Sequence, residues 1–296
     1  MSMIKRILKD PRLILTFILS RYCHWMNDEL YLRLLYFLRV GKILHLNPPR
    51  TFNEKLQWLK LYDRHSEYTK MVDKAAAKEY VAGIIGKEYI IPTLGVWDEF
   101  EDIDFDALPN QFVLKCTHDS GGLIVCNNKE KLDIEKAKKK INKSLRKNYF
   151  HGTREYPYKN VKPHVLVEKY MEDENEELQD YKLMCFNGKV KCSFVCSERF
   201  SSDGLKVTFF DRNWIKMPFY RKYPNSKVTI FKPHSYDKMV ELAEKIAQKI
   251  ANPFIRIDFY NIKGQIYFGE ITFYPGSGME PFYPAKWDRI FGDWID

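Results

Sequence analysis

Apolar residues recur at helical spacing through the first 85 residues of the chain. Side chains three or four positions apart share one face of a helix, so this spacing predicts amphipathic helices. Two such stripes are formed by Leu30, Leu34, Leu35 and Leu38, and by Leu56, Leu59 and Leu61. Thr51 followed by Glu54 is a capping-box signature for a helix that begins just after a Pro-Pro break. A further helix is predicted over 68–85, ending at Gly86.

The pattern changes after residue 88, where short runs typical of strands alternate with helical ones. Asn187-Gly188 lies between two apolar runs and is the strongest hairpin signal in the chain, which predicts paired strands over 180–195. Other strands are predicted at 90–97, 112–116, 123–126 and 165–171, and helices at 129–147 and 239–250. Interleaved strands and helices place this part of the chain in the α/β or α+β class.

The last two predicted strands flank a Lys-Gly turn and form a further β-hairpin. Arg256 and Asp258 are two positions apart and share a strand face, as do Glu270 and Thr272. Strand pairing would bring these two pairs opposite each other. Opposed carboxylates repel unless something compensates, and Mg²⁺ bound by carboxylates and nucleotide phosphates would do so. The alternative is an ordinary half-exposed hairpin whose polar face lies in water.

A second candidate site surrounds the end of the predicted strand 112–116. Lys115 lies near that end, and the following loop contains Ser120, Gly121 and Gly122. Glycines let backbone N–H groups approach phosphate oxygens, and a lysine supplies a mobile positive charge. The order differs from the P-loop, in which the lysine follows the glycines. The alternative is a hairpin with a glycine turn and a chance lysine.

A third candidate site lies where an apolar strand ends in Glu168, Lys169 and Tyr170. A strand that leads into a linker offers backbone N–H and C=O groups, and an adenine ring uses one of each while it packs on apolar neighbours. The acidic positions within 172–177 form either a solvated loop or a partner for a ribose hydroxyl. Lys182, on the next strand, either faces the same cleft or points to solvent.

Composition and charge narrow the class of protein. The chain has 296 residues, of which 45% are hydrophobic and 15% aromatic, so it supports a packed core and is not a disordered chain. The net charge of +9 favours an anionic partner. The six cysteines include no Cys-x-x-Cys pair. We therefore expect reduced thiols in a cytoplasmic protein and neither a disulfide framework nor a zinc site.

Much of the positive charge lies in the predicted helix 129–147. This segment has nine Lys or Arg residues against three acidic ones, a net charge of +6. It is either a solvated helix face or a patch that contacts an acidic polymer. Nucleic acid is disfavoured as that polymer, because no recognised nucleic-acid module or base-stacking motif lies nearby.

The N-terminus combines basic and apolar residues. Lys5, Arg6, Lys9 and Arg12 precede the apolar run 13–19. This run is too short for a membrane span and is not followed by a cleavage site of small residues. We expect a packed helix, and the alternative is a basic helix that lies on the inner membrane surface.

Taken in order, these elements resemble the ATP-grasp superfamily: a lysine strand, a glycine loop, a strand ending in Glu with a linker, and a late Asp and Glu pair. The finer resemblance is to its TupA-like branch, whose members act in teichuronopeptide and capsular polysaccharide biosynthesis. The matching segments are 49–58, 73–74, 114–122, 167–170, 180–182, 186–188, 256–260 and 270–275.

The resemblance implies an α+β ATP-grasp fold in which two subdomains grip ATP, with a helical N-terminal extension. The implied limits are 1–87 for the helical region, 88–166 for the small lid subdomain and 167–296 for the catalytic subdomain. The extension departs from the usual small α/β first domain of the superfamily.

The resemblance also implies roles for individual residues. Nucleotide binding falls to Lys115, Ser120, Gly121, Gly122, Glu168, Lys169 and Tyr170, neutralisation of the transferred phosphate to Lys182 and Arg256, and Mg²⁺ binding to Asp258, Glu270 and Thr272. Many ATP-grasp ligases have Asn two residues after the metal-binding Glu. Thr272 occupies that position here and still offers an oxygen.

The implied reaction is amide formation driven by ATP. The carboxylate would be that of a uronic acid in a surface polysaccharide or its precursor, and the amine an amino acid or another small amine. Two other classes stay open: a glycosyltransferase of capsule synthesis, and a non-catalytic assembly protein that retains the ATP-grasp shell. The expected location is the cytoplasm, with the inner face of the membrane as an alternative.

Overall fold

A computed structural model describes residues 10–172, 179–198, 201 and 204–296. The basic residues Lys5, Arg6 and Lys9 lie outside the described residues. So do positions 173–177 of the acidic segment that was considered for ribose binding.

Helices form the first part of the chain, as predicted: α1 (Arg12–Tyr22), α2 (Asp28–Val40), α3 (Phe52–Tyr62), α4 (Tyr68–Val72) and α5 (Ala76–Ile85). Four further helices lie among the later strands: α6 (Ile134–Leu145), α7 (Tyr149–Thr153), α8 (Tyr236–Ile250) and α9 (Lys286–Gly292). The capping box of α3 is confirmed, since Thr51 accepts a hydrogen bond from the Glu54 N–H and Glu54 accepts from the Thr51 N–H.

Two helix predictions need correction. The single helix predicted over 68–85 is two helices, because the Asp73 carboxylate accepts hydrogen bonds from the N–H groups of Ala75 and Ala76 and starts a new helix there. The basic segment 129–147 begins with a 3₁₀ turn, Lys129–Lys131, and its α-helix starts only at Ile134.

Two antiparallel sheets and one short strand pair complete the fold. The strands are β1 (Thr93–Trp97), β2 (Phe112–Cys116), β3 (Leu123–Cys126), β4 (Val165–Lys169), β5 (Asp180–Phe186), β6 (Lys189–Ser197), β7 (Lys206–Asp211), β8 (Tyr220–Arg221), β9 (Phe254–Ile262), β10 (Gln265–Thr272) and β11 (Phe282–Tyr283). The sheet orders are β1-β4-β2-β3 and β10-β9-β5-β6-β7, with β8 paired to β11. Antiparallel sheets packed by helices make the class α+β.

Each sheet has its own hydrophobic core. The five-stranded sheet packs against α8 and against α3 to α5, and the four-stranded sheet packs against α6. The predicted helix over 239–250 forms most of α8, and its apolar side chains from Met239 to Ile250 are buried in the core of the five-stranded sheet. The predicted limit between 166 and 167 falls inside β4, which pairs with β1 and β2. The domain limits themselves stay a prediction.

The N-terminal helices α1 and α2 attach to the body through a small third core and a buried arginine. Arg154 is fully buried, and its Nη2 donates to the carbonyl oxygens of Cys23 and His24 at 3.2 Å. Its guanidinium lies 4.1 Å from the centre of the Tyr31 ring, and its Nε lies 3.0 Å from Asp28. Because the carbonyls, the carboxylate and the ring each favour a cation, the arginine fastens both helices to the segment after α7.

Within the described residues, no helix combines the length and the apolar composition required to cross a bilayer.

A second buried cation joins three separate parts of the chain. Lys60, on α3, is fully buried, and burial lowers its pKa while the negative charge of Glu155 acts in the opposite direction. Its Nζ donates to the Thr153 carbonyl at 3.1 Å and to the Ser277 carbonyl and hydroxyl at 2.9 and 2.8 Å. Lys60 therefore holds the loop after β10 against the C-terminal end of α7.

We expect Lys60→Met to lower the free energy of unfolding by about 3 kcal/mol, because it leaves several buried oxygens without a donor. Urea unfolding followed by circular dichroism measures the loss. Lys70→Met on α4 is the matched control, since Lys70 is exposed. Equal stability of the two variants would contradict this assignment.

Candidate active site

The site is built on the hairpin of β9 and β10, whose register places the charged residues. Strand pairing starts beside a two-residue turn, with Gln265 opposite Ile262. A regular ladder from that turn would put Glu270 opposite an apolar residue and on the other face of the sheet. The register instead shifts between Phe268 and Glu270, and Glu270 lies opposite Asp258.

The extra residue in this β-bulge is Gly269, and the space around it is narrow. A Cβ at this position would lie 3.1 Å from the Asp258 carbonyl oxygen and 3.2 Å from the Tyr260 ring. The bulge also places Thr272 opposite Arg256. The pair Arg256 and Asp258 therefore lies opposite the pair Glu270 and Thr272, as predicted, and this register depends on one inserted residue.

Arg256 lies between the two carboxylates of the hairpin. Its Nε is 2.6 Å from Asp258 Oδ1, and its Nη2 is 2.7 Å from Asp258 Oδ2 and 2.6 Å from Glu270 Oε1. Thr272 donates to the same Glu270 oxygen at 3.2 Å. The charge that compensates the opposed carboxylates in the structure is thus a guanidinium bound in a fork geometry.

Lys182 enters from the neighbouring strand. It lies opposite Asp258 in the β5–β9 ladder, its Nζ contacts the Asp258 carboxylate, and it lies 2.7 Å from Asp180 Oδ2. The structure thus places Lys182 in the cleft rather than in solvent.

Asp258, Glu270 and Asp180 share these two cations, and the pKa values of Asp258 and Glu270 move in opposite directions. Partial burial raises the pKa of Glu270, but Arg256 and Lys182 more than offset it and lower the pKa to about 2. Burial raises the pKa of Asp258, and the negative charges of Glu270 and Asp180 act in the same direction. Two carboxylates with divergent pKa values at one position mark a candidate functional site.

A second charge cluster surrounds Glu168, at the end of β4. The Glu168 side chain is buried, with one oxygen 2.5 Å from Lys115 Nζ on β2 and the other 2.5 Å from Lys78 Nζ on α5. Burial alone would raise the pKa of Glu168, but Lys115 and Lys78 lower it below its usual value. Glu168 therefore couples the four-stranded sheet to the helical region.

The glycine loop after β2 has two positions with different surroundings. Gly122 is buried, its N–H donates to Asp119 Oδ1 at 3.0 Å, and a Cβ there would overlap the Cys116 sulfur. At Gly121 a Cβ would approach only Asp119, at 3.5 Å. Ser120 and Gly121 are exposed. Gly122 is thus required for packing, whereas Gly121 and Ser120 are open to a ligand.

At the end of β4, the Lys169 N–H donates to the Pro92 carbonyl at 3.0 Å and is therefore already bonded within the chain. The Lys169 side chain is exposed, Tyr170 is half-buried, and Glu172 is exposed.

The two charge clusters face one cavity of about 160 Å³. Its lining residues are Lys74, Lys115, Glu168, Asp180, Lys182, Asp258, Tyr260, Gly269 and Glu270. The structure thus brings together five of the residues that the sequence singled out: Lys115, Glu168, Lys182, Asp258 and Glu270. Arg256 binds Asp258 and Glu270, and Thr272 donates to Glu270. Within the described residues, Ser120, Gly121, Gly122, Lys169 and Tyr170 are not part of this lining.

Sequence reasoning assigned no role to Lys74, Lys78, Asp180 or Tyr260. Burial lowers the pKa of Lys74, whose Nζ donates to the Asp119 carbonyl. Lys74 and Lys78 are four positions apart, and Lys78 shares a helix face with the buried Val81 and Ile85. Lysines within an apolar helical stripe are the signal that could have identified them.

The basic helix α6 covers the four-stranded sheet. Ala137 and Ile141 are buried against the sheet. Lys138 pairs with Glu101 at 3.0 Å, and Lys140 donates to the Leu123 carbonyl of β3 at 2.7 Å.

Over the described ranges, no cluster of three or more His, Cys, Asp or Glu side chains forms a metal site.

Comparison with known proteins identifies one family. A sequence model of the family described as TupA-like ATPgrasp matches residues 54–296. No curated protein matches the chain.

Three solved structures align at low similarity. D-Alanine–D-alanine ligase from Helicobacter pylori aligns with 15% identity and a TM-score of 0.46, over 82% of this chain and 68% of that one. N5-carboxyaminoimidazole synthetase from Staphylococcus aureus gives 17% identity, a TM-score of 0.37, and coverage of 69% and 44%. The biotin carboxylase domain of Hydrogenobacter thermophilus 2-oxoglutarate carboxylase, bound to MgADP, aligns with 19% identity and a TM-score of 0.37, over 68% of this chain and 39% of that one.

The chain therefore spans less than half of the second and third of these proteins. At these TM-scores, the assignment rests on the family match.

We expect Glu168→Gln to destabilise the protein by about 3 kcal/mol at pH 7, because Lys78 and Lys115 lose their buried counter-charge. The folded pKa of Glu168 lies below the usual value of 4.5. Its stabilising effect is therefore complete above about pH 4.5 and is lost as the pH falls further. Urea unfolding of both proteins at pH 7 and near pH 3 should show the difference shrinking. A difference that is constant with pH would contradict the ion pairs.

We expect Gly122→Ala to lower the free energy of unfolding by about 2 kcal/mol through overlap with Cys116. Gly121→Ala should leave stability nearly unchanged and weaken nucleotide binding if this loop contacts phosphates. Thermal unfolding and titration with ATP separate the two effects. Equal destabilisation by both substitutions would rule out the packing role of Gly122.

Proposed function

Because the chain belongs to the TupA-like ATP-grasp family, we propose that it is an ATP-dependent ligase that joins a carboxylate to an amine. A carboxylate oxygen attacks the γ-phosphorus of ATP, so that ADP leaves and an acyl phosphate forms. The amine nitrogen then attacks the acyl carbon, and phosphate and a proton leave. The observation that carries the proposal is the set of buried cations and carboxylates around one cavity.

The cations of the cavity suit a phosphate chain. Lys115 and Lys182 lie on two different sheets and are held by Glu168 and by Asp180 and Asp258, while Arg256 is fixed in a fork by two carboxylates. We assign Lys115 to nucleotide phosphates and assign Lys182 and Arg256 to the transferred group. Positive charge held in place before the reaction lowers the barrier without reorganisation.

The donor set of the hairpin fits a hard divalent cation. Asp258 and Glu270 present carboxylate oxygens from adjacent strands, and the Thr272 hydroxyl lies beside Glu270. In nucleotide sites Mg²⁺ takes one or two carboxylates and completes its coordination with phosphates and water. Asp258 and Glu270, with Thr272 beside them, would hold Mg²⁺, which when bound neutralises charge on the phosphates.

The finer proposal concerns the substrates. We propose that the carboxylate belongs to a uronic acid of a capsular polysaccharide or its precursor, and that the amine is an amino acid or another small amine. The net charge of +9 and the exposed lysines of α6, among them Lys136, Lys139 and Lys143, support a polyanionic acceptor.

We expect Glu270→Gln to reduce turnover of ATP about a hundredfold, because it removes one of the two carboxylate charges offered to the cation. The Glu270 side chain is 42% exposed, so the variant should fold. Glu241→Gln is the matched control, since Glu241 is an exposed carboxylate on α8. The assay measures ADP and phosphate release with uronic acid oligomers and amino acids, separately and together.

The same proteins are followed by thermal unfolding with and without ATP and Mg²⁺, because a ligand of the folded state raises the unfolding temperature. Asp258→Asn should also abolish turnover, but Asp258 is 2% exposed and holds both Arg256 and Lys182, so its stability is measured in parallel. Consumption of a nucleotide-sugar in place of ATP would contradict the ligase. A protein that ATP stabilises but that turns over no pair of substrates would instead be a non-catalytic assembly protein that retains the ATP-grasp fold.

A further inference from the structure

Helices α1 and α2 leave an unusual amount of apolar surface in contact with water. We define the N-terminal apolar surface by Ile14, Phe17 and Ile18 on α1 and by Leu30, Leu34 and Phe37 on α2, each at least 41% exposed. Trp25, between the two helices, is 82% exposed. In α1 only Leu19 is buried. The sequence favoured a packed helix here, and the packing of α1 is slight.

Helix α2 is apolar on two sides. Tyr31, Leu32 and Leu35 are buried in the third core. Leu30, Leu34 and Phe37 follow one another at helical spacing on the exposed side. A helix that is apolar around most of its circumference is normally covered all round. Exposed apolar surface of this extent marks an interaction site.

The charge around this surface selects the kind of partner. The first 26 residues contain five basic side chains and one acidic one: Lys5, Arg6, Lys9, Arg12 and Arg21 against Asp10. On α2, Asp28 contacts Arg64 and Arg154, and Glu29 pairs with Arg33. Among the described residues, Arg12, Arg21, Arg33 and Arg39 outnumber Asp10 and Glu29, so the two helices combine apolar surface with an excess of positive charge.

We propose that α1 and α2 dock this protein on the surface of a bilayer that contains anionic lipids, with both helices lying in the interface. Apolar side chains would enter the acyl boundary, while the arginines of the two helices meet the headgroups. An exposed tryptophan beside such helices suits the interface, because its ring is apolar and its N–H is polar. A second copy of the chain is a poorer partner, since self-association would bring two positively charged surfaces together.

The docking surface is joined to the rest of the chain by specific contacts. Arg154 binds the carbonyls between α1 and α2, the Tyr31 hydroxyl donates to the Gly152 carbonyl at 3.2 Å, and Met279 completes the third core. Bilayer binding through α1 and α2 would therefore hold the body of the protein at the membrane.

Co-sedimentation of the full chain with vesicles tests the proposal. We expect binding to phosphatidylcholine vesicles that contain about one third phosphatidylglycerol, and about tenfold weaker binding to phosphatidylcholine alone. High salt should weaken the binding by screening the headgroup charge. Phe17→Glu combined with Phe37→Glu should weaken it about tenfold or more, because it puts carboxylates into the contact. Phe231→Glu is the matched control, since Phe231 is 81% exposed elsewhere on the protein.

Both variants should keep the thermal stability of the parent and its stabilisation by ATP, so the result is independent of the proposed reaction. Equal binding to neutral and anionic vesicles, no binding at low salt, or full binding by the double variant would each overturn the proposal. A dimer in sedimentation velocity that the double variant dissociates would also overturn it and assign the surface to a second copy.

Discussion

Charge buried inside a protein must be paired, and this requirement governs the centre of the molecule. Arg256 pairs with Asp258 on its own strand and with Glu270 on β10, and Glu168 on β4 pairs with Lys115 on β2 and Lys78 on α5. Three of these four ion pairs join separate elements, so contacts that neutralise charge also fix how strands and helices lie against one another. A phosphate chain that entered the cavity would meet cations that are already in position and would compete with the resident carboxylates for them.

The sequence predicted the features of the site that depend on local chemistry. Period-two alternation and turn residues located β9 and β10, and the same alternation placed Arg256 and Asp258 on one face. Lys78 was not found, although it shares a helix face with Val81 and Ile85, because its partner Glu168 is distant in sequence and their pairing is seen only in the fold. The break at Asp73 was missed for a related reason, since a short polar side chain that caps a new helix leaves the surrounding periodicity intact.

The N-terminal helices show where periodicity alone gives only part of the buried face. In the predicted stripe, Leu35 is buried and Leu38 packs against the third core, whereas Leu30 and Leu34 are exposed. Tyr31 and Leu32, outside that stripe, are buried as well. A helix that is apolar on two sides carries two stripes, and the spacing of its leucines does not say which one meets the core. That choice is made by distant groups, among them Met279 and Arg154, which belong to other parts of the chain.

The bulge at Gly269 makes the length of a strand as important as its side chains. One residue more or less between the turn and Glu270 would rotate the carboxylate to the opposite face, while the backbone ladder could still form. Substitution and deletion therefore act on this hairpin in different ways. Apart from Gly269 and the polar residues of the site, the residues of the strand can change more freely than its length, and a comparison of related chains would find that length more constant than most of its residues.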